Sequence, residues 1–494
     1  MQKAINNPVR KKFNTLLKVL QQVKKLRWSL LLVFAMATQV SAQTTERTEF
    51  TGSDYNSPIQ KIEEVKATKG KGWQLKTKGG LEYINPQDED YWVAIGGVIR
   101  LDETFYSGTF LDKQGQFPNS ALIRRIEPGI DGGLGKNWEY SFNIQFSNYK
   151  TTNLRGSFGF VNGLVAIVQD TWLGYTGFSD NSELFFGRLS GNWFGLENST
   201  GASWMRFMER SMQANMFYPG DGLGLMYDMW WQDAGITLIL LEHDQGSHLT
   251  FTNPFTDEIT RFGSDRLRAV ARGTYAPGHC LGDVWHFGLS GTYRRLDSVL
   301  FGVPVREGVL GPIAPGGFAH RNAADAPALV INQFATYAYE WNVELARQWG
   351  PFLLEGEYTQ AFLHRVMDPQ GQGSLRAKGW NLQASYVLTG EPHSYDVRDG
   401  SFGSIDICSP YGAWEAAVRY EYTNLNDKNV HGGSQHAFTA GLNWFITTQL
   451  RLTFNYVRSS FRAADIPNVF GVITQPAIRR RIDAFGVRLQ LKFK

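Results

Sequence analysis

Apolar and polar side chains alternate strictly, about ten residues at a time, from the second hundred residues of this chain to its end. In Trp138-Glu139-Tyr140-Ser141-Phe142-Asn143-Ile144-Gln145-Phe146 one face is aromatic or aliphatic and the other polar. Leu450, Leu452, Phe454 and Tyr456 interleave with Arg451, Thr453 and Asn455, and Phe485, Val487, Leu489, Leu491 and Phe493 with Arg488, Gln490 and Lys492. Trp285 to Arg294, Tyr339 to Leu345, Leu354 to Tyr358 and Trp414 to Tyr422 follow the same rule. A period of two belongs to a strand with two unlike faces, so the chain is all-β.

A soluble sandwich also alternates, and three features set this chain apart from one. The segments are long enough for a tilted membrane crossing. Tyr, Trp and Phe recur near segment ends, where aromatic girdles sit at the two interfaces of a membrane barrel. Connections alternate between tight ones, such as Gly135-Lys136-Asn137, Trp349-Gly350-Pro351 and Thr447-Thr448-Gln449, and long ones, such as Leu296 to Gln333 and Arg462 to Arg480. That rhythm fits short periplasmic turns and long external loops. The expectation is a transmembrane antiparallel β-barrel of about sixteen strands over residues 90–494, with both termini periplasmic and the longest excursions after strands five, seven and nine.

Composition agrees. Hydrophobic residues make up 43% and charged residues 19% of the 494, with 33 Phe, 20 Tyr and 15 Trp. A mean hydropathy of -0.29 is too polar for a bundle of membrane helices, and past the amino terminus no apolar run reaches about 18 residues. Residues 1–42 hold eight Lys or Arg, no acid, the apolar stretch Trp28 to Ala37 and the small residues Val40-Ser41-Ala42. They are expected to be a signal peptide cut after Ala42, followed by a polar extension over 43–89. Without residues 1–42 the 46 Asp and Glu outnumber Lys and Arg, leaving roughly five net negative charges. Any anion preference therefore rests on where particular arginines point. Cys280 and Cys408 leave their pairing open, since an oxidising periplasm permits one bridge.

Inside a water-filled barrel the polar face of each strand borders the solute path. Arg266, Arg268 and Arg272 share one face of their segment, and Leu267, Ala269 and Ala271 the other. A row of guanidinium groups offers an anion several weak sites and allows it to leave again. The same arginines have a second reading, as partners of luminal Glu340, Glu344, Glu355, Glu357, Glu415 and Glu421 that stiffen the wall. The excursion from Ser190 to Gly220 is taken as an inward-folded loop three. Within it, Arg206 and Arg210 lie one helical turn apart and are candidates to face the lumen together. Alternatively, the loop's aromatic and Met residues pin it to the wall, and Arg210 satisfies Glu209 or another neighbour.

Several segments resemble the phosphate-selective porin O and P family. They are Phe207-Met208-Glu209-Arg210-Ser211 with Phe217-Tyr218-Pro219-Gly220 and Gly222-Leu223-Gly224, and Trp414-Glu415-Ala416-Ala417-Val418-Arg419-Tyr420 with Leu425-Asn426-Asp427. Further along come Gly432-Gly433, Gln435-His436, Gly441-Leu442-Asn443-Trp444, Asn455-Tyr456-Val457 and Phe485-Gly486-Val487-Arg488. Asp131-Gly132 through Lys136-Asn137-Trp138-Glu139-Tyr140 is similar to an early hairpin of that family. The resemblance covers about residues 90 to 494. It implies a sixteen-stranded barrel, a homotrimer, and passage of small anions such as phosphate along a ladder of arginines. Asp221 departs from the pattern, standing where the family leads one to expect a basic residue.

The expected function is passive diffusion of small hydrophilic solutes across the bacterial outer membrane, anions first. The partners are then the lipid bilayer and small anions, with no nucleic acid, no cofactor and no metal. A general porin with weak ion preference is the alternative within transport, and an adhesin or structural barrel the alternative outside it. Enzymatic activity finds no support, because His243, His248, His286, His364 and His436 are dispersed and no nucleophile elbow or metal-spaced His pair accompanies them.

Overall fold

The structure, a computed structural model, describes residues 72–75, 80–108, 120–147, 165–242, 249–252, 259–262, 267–295, 299–300, 303–304, 307–313, 329–333, 335–365, 373–462, 466–467, 473–475 and 479–493. Residues 1–42, most of the 43–89 extension and Arg266 lie outside the described residues.

Among the described residues the main sheet has 18 strands, and sixteen of them close into an antiparallel barrel. In chain order these are β1 (Tyr91–Gly108), β2 (Ser120–Leu134), β3 (Trp138–Ser147), β4 (Val165–Ser179), β5 (Ser182–Leu189), β6 (Gly222–Trp230), β7 (Ala234–Glu242) and β8 (Leu267–Tyr275). The second half comprises β9 (Asp283–Arg295), β10 (Ala335–Trp349), β11 (Phe352–Arg365), β12 (Leu375–Val387), β13 (Ala413–Asp427), β14 (Val430–Phe445), β15 (Leu450–Arg462) and β16 (Arg479–Phe493). Each strand pairs with its neighbours in the chain, and Ile482–Phe493 of β16 pairs with Gly97–Gly108 of β1 to close the ring. The two remaining strands, Gly72–Leu75 and Leu81–Ile84, form a hairpin whose second arm pairs with Trp92–Ile95 of β1.

Alternation becomes an inside and an outside. Along β9, Val284, His286, Ser290, Thr292 and Arg294 are buried, while Trp285, Phe287 and Leu289 are exposed, Leu289 to 61%. Such rows repeat around the barrel, for instance Tyr339, Trp341, Val343 and Leu345 on β10. In lipid each large apolar side chain recovers about 1.5–3 kcal/mol that water would deny it. Ring contacts mark the two rims. Trp138 with Tyr175, Trp285 with Trp349 and Trp414 with Trp444 lie beside the short turns, and Tyr293 with Tyr339 and Tyr337 with His364 lie toward the opposite ends. Gly135 (φ +81°) and Gly350 (φ +53°) supply the left-handed residues that two of the tight turns require.

The long connections after β5, β7 and β9 fall where alternation placed them. A long connection between β12 and β13 was not expected. It leaves from the short-turn rim and re-enters the barrel as a hairpin of His393–Asp396 paired with Ser401–Ile405. Phe402 of this hairpin is fully buried against Ala276, Val284, Ala346, Leu353 and Leu196. Cys280 and Cys408 are both exposed free thiols.

Candidate functional site

The inward faces of β10, β11 and β13 carry Glu340, Glu344, Glu355, Glu357, Glu415 and Glu421, all buried. Residues 190–221, loop three, lie against this acidic wall. Its amides and cations meet the carboxylates: Glu197 N donates to Glu357, Met212 N donates to Glu421 at 3.3 Å, and the Arg206 guanidinium approaches Glu355 at 3.4 Å. From β13, Arg419 reaches back to Glu197 of the loop at 2.8 Å. Loop carbonyls are met in turn, Asn443 donating to Arg206 O and Arg451 to Ser203 O and Met205 O. Two short helices, Leu196–Ser199 and Met212–Met216, the second capped by Ser211, turn Met212, Met216 and Phe217 into an apolar cluster with Phe185 and Leu241. An irregular segment buried inside a barrel needs this density of partners, because unsatisfied backbone groups are expensive away from water.

Loop three thereby packs on the acidic side of the barrel and leaves a cavity, the candidate passage, between itself and β1–β4. The cavity has a volume of about 260 Å³ and is lined by Arg100, Arg124, Arg125 and Arg210, by Gln145, Gln169, Asn198 and Ser203, and by Glu127, Asp170 and Asp221. Two β-bulges build its wall. On β2, Arg100 faces Arg125 and Leu101 faces Ile123, so Arg124 is an extra residue and two consecutive arginines turn inward. On β4, Phe142 of β3 faces Thr171 and Ile144 faces Val168, so Gln169 and Asp170 together oppose Asn143. Strict alternation would have sent one member of each pair into lipid.

The arginines differ in their commitments. Arg124 forms a two-point contact with Glu209 of loop three (2.7 and 3.0 Å), and Arg488 of β16 joins the same carboxylate at 2.8 Å. Burial opposes ionisation of Glu209, but these two guanidinium groups outweigh it and hold the carboxyl well below the usual carboxylate range. Arg125 pairs with Glu127 at 2.9 Å. Arg100 has only neutral partners, Gln490 and Ser203, and Arg210 only the carbonyls of Glu197, Asn198 and Thr200. Among the described residues these two cations face the cavity without a carboxylate in contact.

Of the arginines singled out from the sequence, Arg210 lines this passage. Arg272 lies elsewhere, on the acidic wall, bound to Glu344 at 2.6 and 3.0 Å and donating to Asp399 O and Gly400 O of the inward hairpin. Arg268 donates to Pro219 O at the end of loop three. Arg206 is buried between Glu355 and Glu415 and donates to Trp204 O. The segment containing Arg206 and Arg210 is not helical, so the two side chains diverge and do not point together. Arg100, Arg124 and Arg125 were missed because they do not form a period-two row. The signal was the Arg124-Arg125 doublet amid Leu122, Ile123 and Ile126, which a regular two-faced strand does not accommodate.

The family model described as "Phosphate-selective porin O and P" matches residues 93–493. Porin O of Pseudomonas aeruginosa is 27% identical over 418 residues, covering 79% of this chain and 88% of that protein. Among solved structures, the anion-selective porin from Comamonas acidovorans aligns with a TM-score of 0.45 at 12% identity, over 81% of this chain and 99% of that one. The outer membrane channel DcaP of Acinetobacter baumannii aligns at 0.48 with 9% identity, over 83% and 99%.

Proposed function

Because the chain belongs to the phosphate-selective porin O and P family, a family of the bacterial outer membrane, we propose that its passage between loop three and β1–β4 conducts small hydrophilic anions, phosphate first. The observation that carries this reading is the pair Arg100 and Arg210, two guanidinium groups facing the cavity with no carboxylate in contact. An anion in the cavity meets the half-buried Arg124 and Arg125 together with these two. Guanidinium forks match oxyanion geometry, and neutral donors from Gln145, Gln169, Asn198 and Ser203 replace part of the lost hydration. Glu127, Asp170 and Asp221 in the same wall limit how tightly any anion is held, which a channel needs if the solute is to leave. The same three carboxylates are the specific ground for a second reading, a general porin with weak ion preference. Export by residues 1–42 and assembly as a trimer are part of the proposal.

The test is conductance of the purified mature protein in planar bilayers under asymmetric KCl, followed by addition of phosphate. Stepwise currents with a chloride-favouring reversal potential that phosphate blocks are expected. Currents without that preference would support the general porin, and absence of current would move the function to an adhesin or structural barrel.

A further inference from the structure

The hairpin His393–Asp396/Ser401–Ile405 touches both the barrel wall and loop three, and the two sets of contacts have different consequences. Wall contacts fix the hairpin. Arg272 of β8 donates to Asp399 O and Gly400 O, Gln348 of β10 donates to His393 O at 2.9 Å, and Arg398 pairs with Glu183 of β5. These anchors come from three separate strands, β5, β8 and β10, so the hairpin is tied to the wall as a ledge at the short-turn end.

Loop three rests on that ledge directly through an apolar contact and is linked to it a second time through a wall carboxylate. The first is apolar: fully buried Phe402 packs in one cluster with Leu196, the first residue of the loop's first helix, and Ile405 in another that receives Trp204. The second is polar: Glu415 of β13 lies 2.9 Å from His393 of the hairpin and 4.0 Å from Arg206 of the loop, and its other oxygen accepts from Asn443, which also donates to Arg206 O. The loop's own regular structure is two helices of 4 and 5 residues, too little to hold its shape unaided.

We propose that this periplasmic hairpin is the strut that sets the position of loop three, so that the width of the passage is fixed from the periplasmic side through Phe402 on Leu196 and through the His393–Glu415–Arg206 link. Phe402 and Glu415 are positioning residues that act on the passage through the loop and do not touch the permeating ion. The inference rests on loop three bounding the conducting path. It does not depend on which ion is preferred, since conductance in KCl reports width and reversal potential reports selectivity.

The experiment compares full-length mature protein with Phe402→Ala, Phe402→Leu, Leu196→Ala, the double variant and Glu415→Gln in planar bilayers, with heat-modifiable migration in detergent gels confirming a closed barrel. Phe402→Ala and Glu415→Gln are expected to raise open-channel current noise by about twofold or more and to shift single-channel conductance. Phe402→Leu, which keeps the apolar contact, should restore the parent trace, and the Phe402→Ala and Leu196→Ala effects should be non-additive. Folded Phe402→Ala and Glu415→Gln barrels with parental conductance and noise would overturn the strut, and so would strictly additive effects of the Phe402 and Leu196 substitutions. If Phe402→Ala does not fold, the Glu415→Gln and Leu196→Ala traces decide the question. A loss of chloride preference with the strut phenotype intact would count against the anion reading alone.

Discussion

Arg100 and Arg272 are both buried arginines on inward strand faces, and what each guanidinium touches separates a transport role from a structural one. Arg272 gives Glu344 its two-point cationic partner, and removing it leaves that buried carboxylate with only His286 and Ser290, a loss of at most about 3–5 kcal/mol. Arg272→Ala should therefore lower the urea midpoint of unfolding in detergent while leaving the reversal potential of surviving channels close to parental. Arg100→Ala and Arg210→Ala remove cations that face the cavity without a carboxylate in contact, so a shifted reversal potential is expected from both. Losing about 1 kcal/mol of attraction for an anion corresponds to roughly a fivefold fall in the anion-to-cation permeability ratio. Stability should change little for Arg100→Ala, whereas Arg210→Ala also takes a donor from three loop carbonyls and should lower the urea midpoint. Equal reversal potentials for Arg100→Ala and the parent would remove Arg100 from the path.

At the level of elements, strands were legible and departures from strand regularity were not. Period two marked β3, β9, β13, β15 and β16 because each separates lipid from lumen over its whole length. The same rule hid the passage, since Arg124-Arg125 and Gln169-Asp170 face inward together only because a bulge inserts a residue in β2 and in β4. It also hid the inward hairpin, whose short arms carry too few residues to show a period. Loop three has its own testable consequence through Glu209. The folded carboxyl is held below its ordinary range, so the docking it provides is present above the unfolded pKa of about 4.3 and is lost only as pH falls through the lower folded value. Glu209→Gln should differ from the parent in current noise at pH 7, and that difference should persist at pH 4. Convergence of the two traces by pH 4 would mean that the carboxylate is not held by Arg124 and Arg488.

For the whole molecule, sign and selectivity oppose each other: residues 43–494 carry roughly five net negative charges, yet the proposed path favours anions. The structure separates the two by placing loop three over the acidic wall, where Glu355, Glu357, Glu415 and Glu421 are engaged by loop amides, Arg206 and neighbouring side chains such as Arg419. Overall charge acts at a distance and is screened within about 3 Å at 1 M salt, against about 10 Å at 0.1 M. In the proposed path Arg100 and Arg210 line the cavity itself, where screening by mobile counter-ions would be weak. Raising KCl from 0.1 M to 1 M, with a fixed ratio across the bilayer, should therefore leave most of the chloride preference in place. A preference that disappears by 1 M would assign selectivity to diffuse surface charge at the channel mouths, and the two inward arginines would then be wall structure like Arg272.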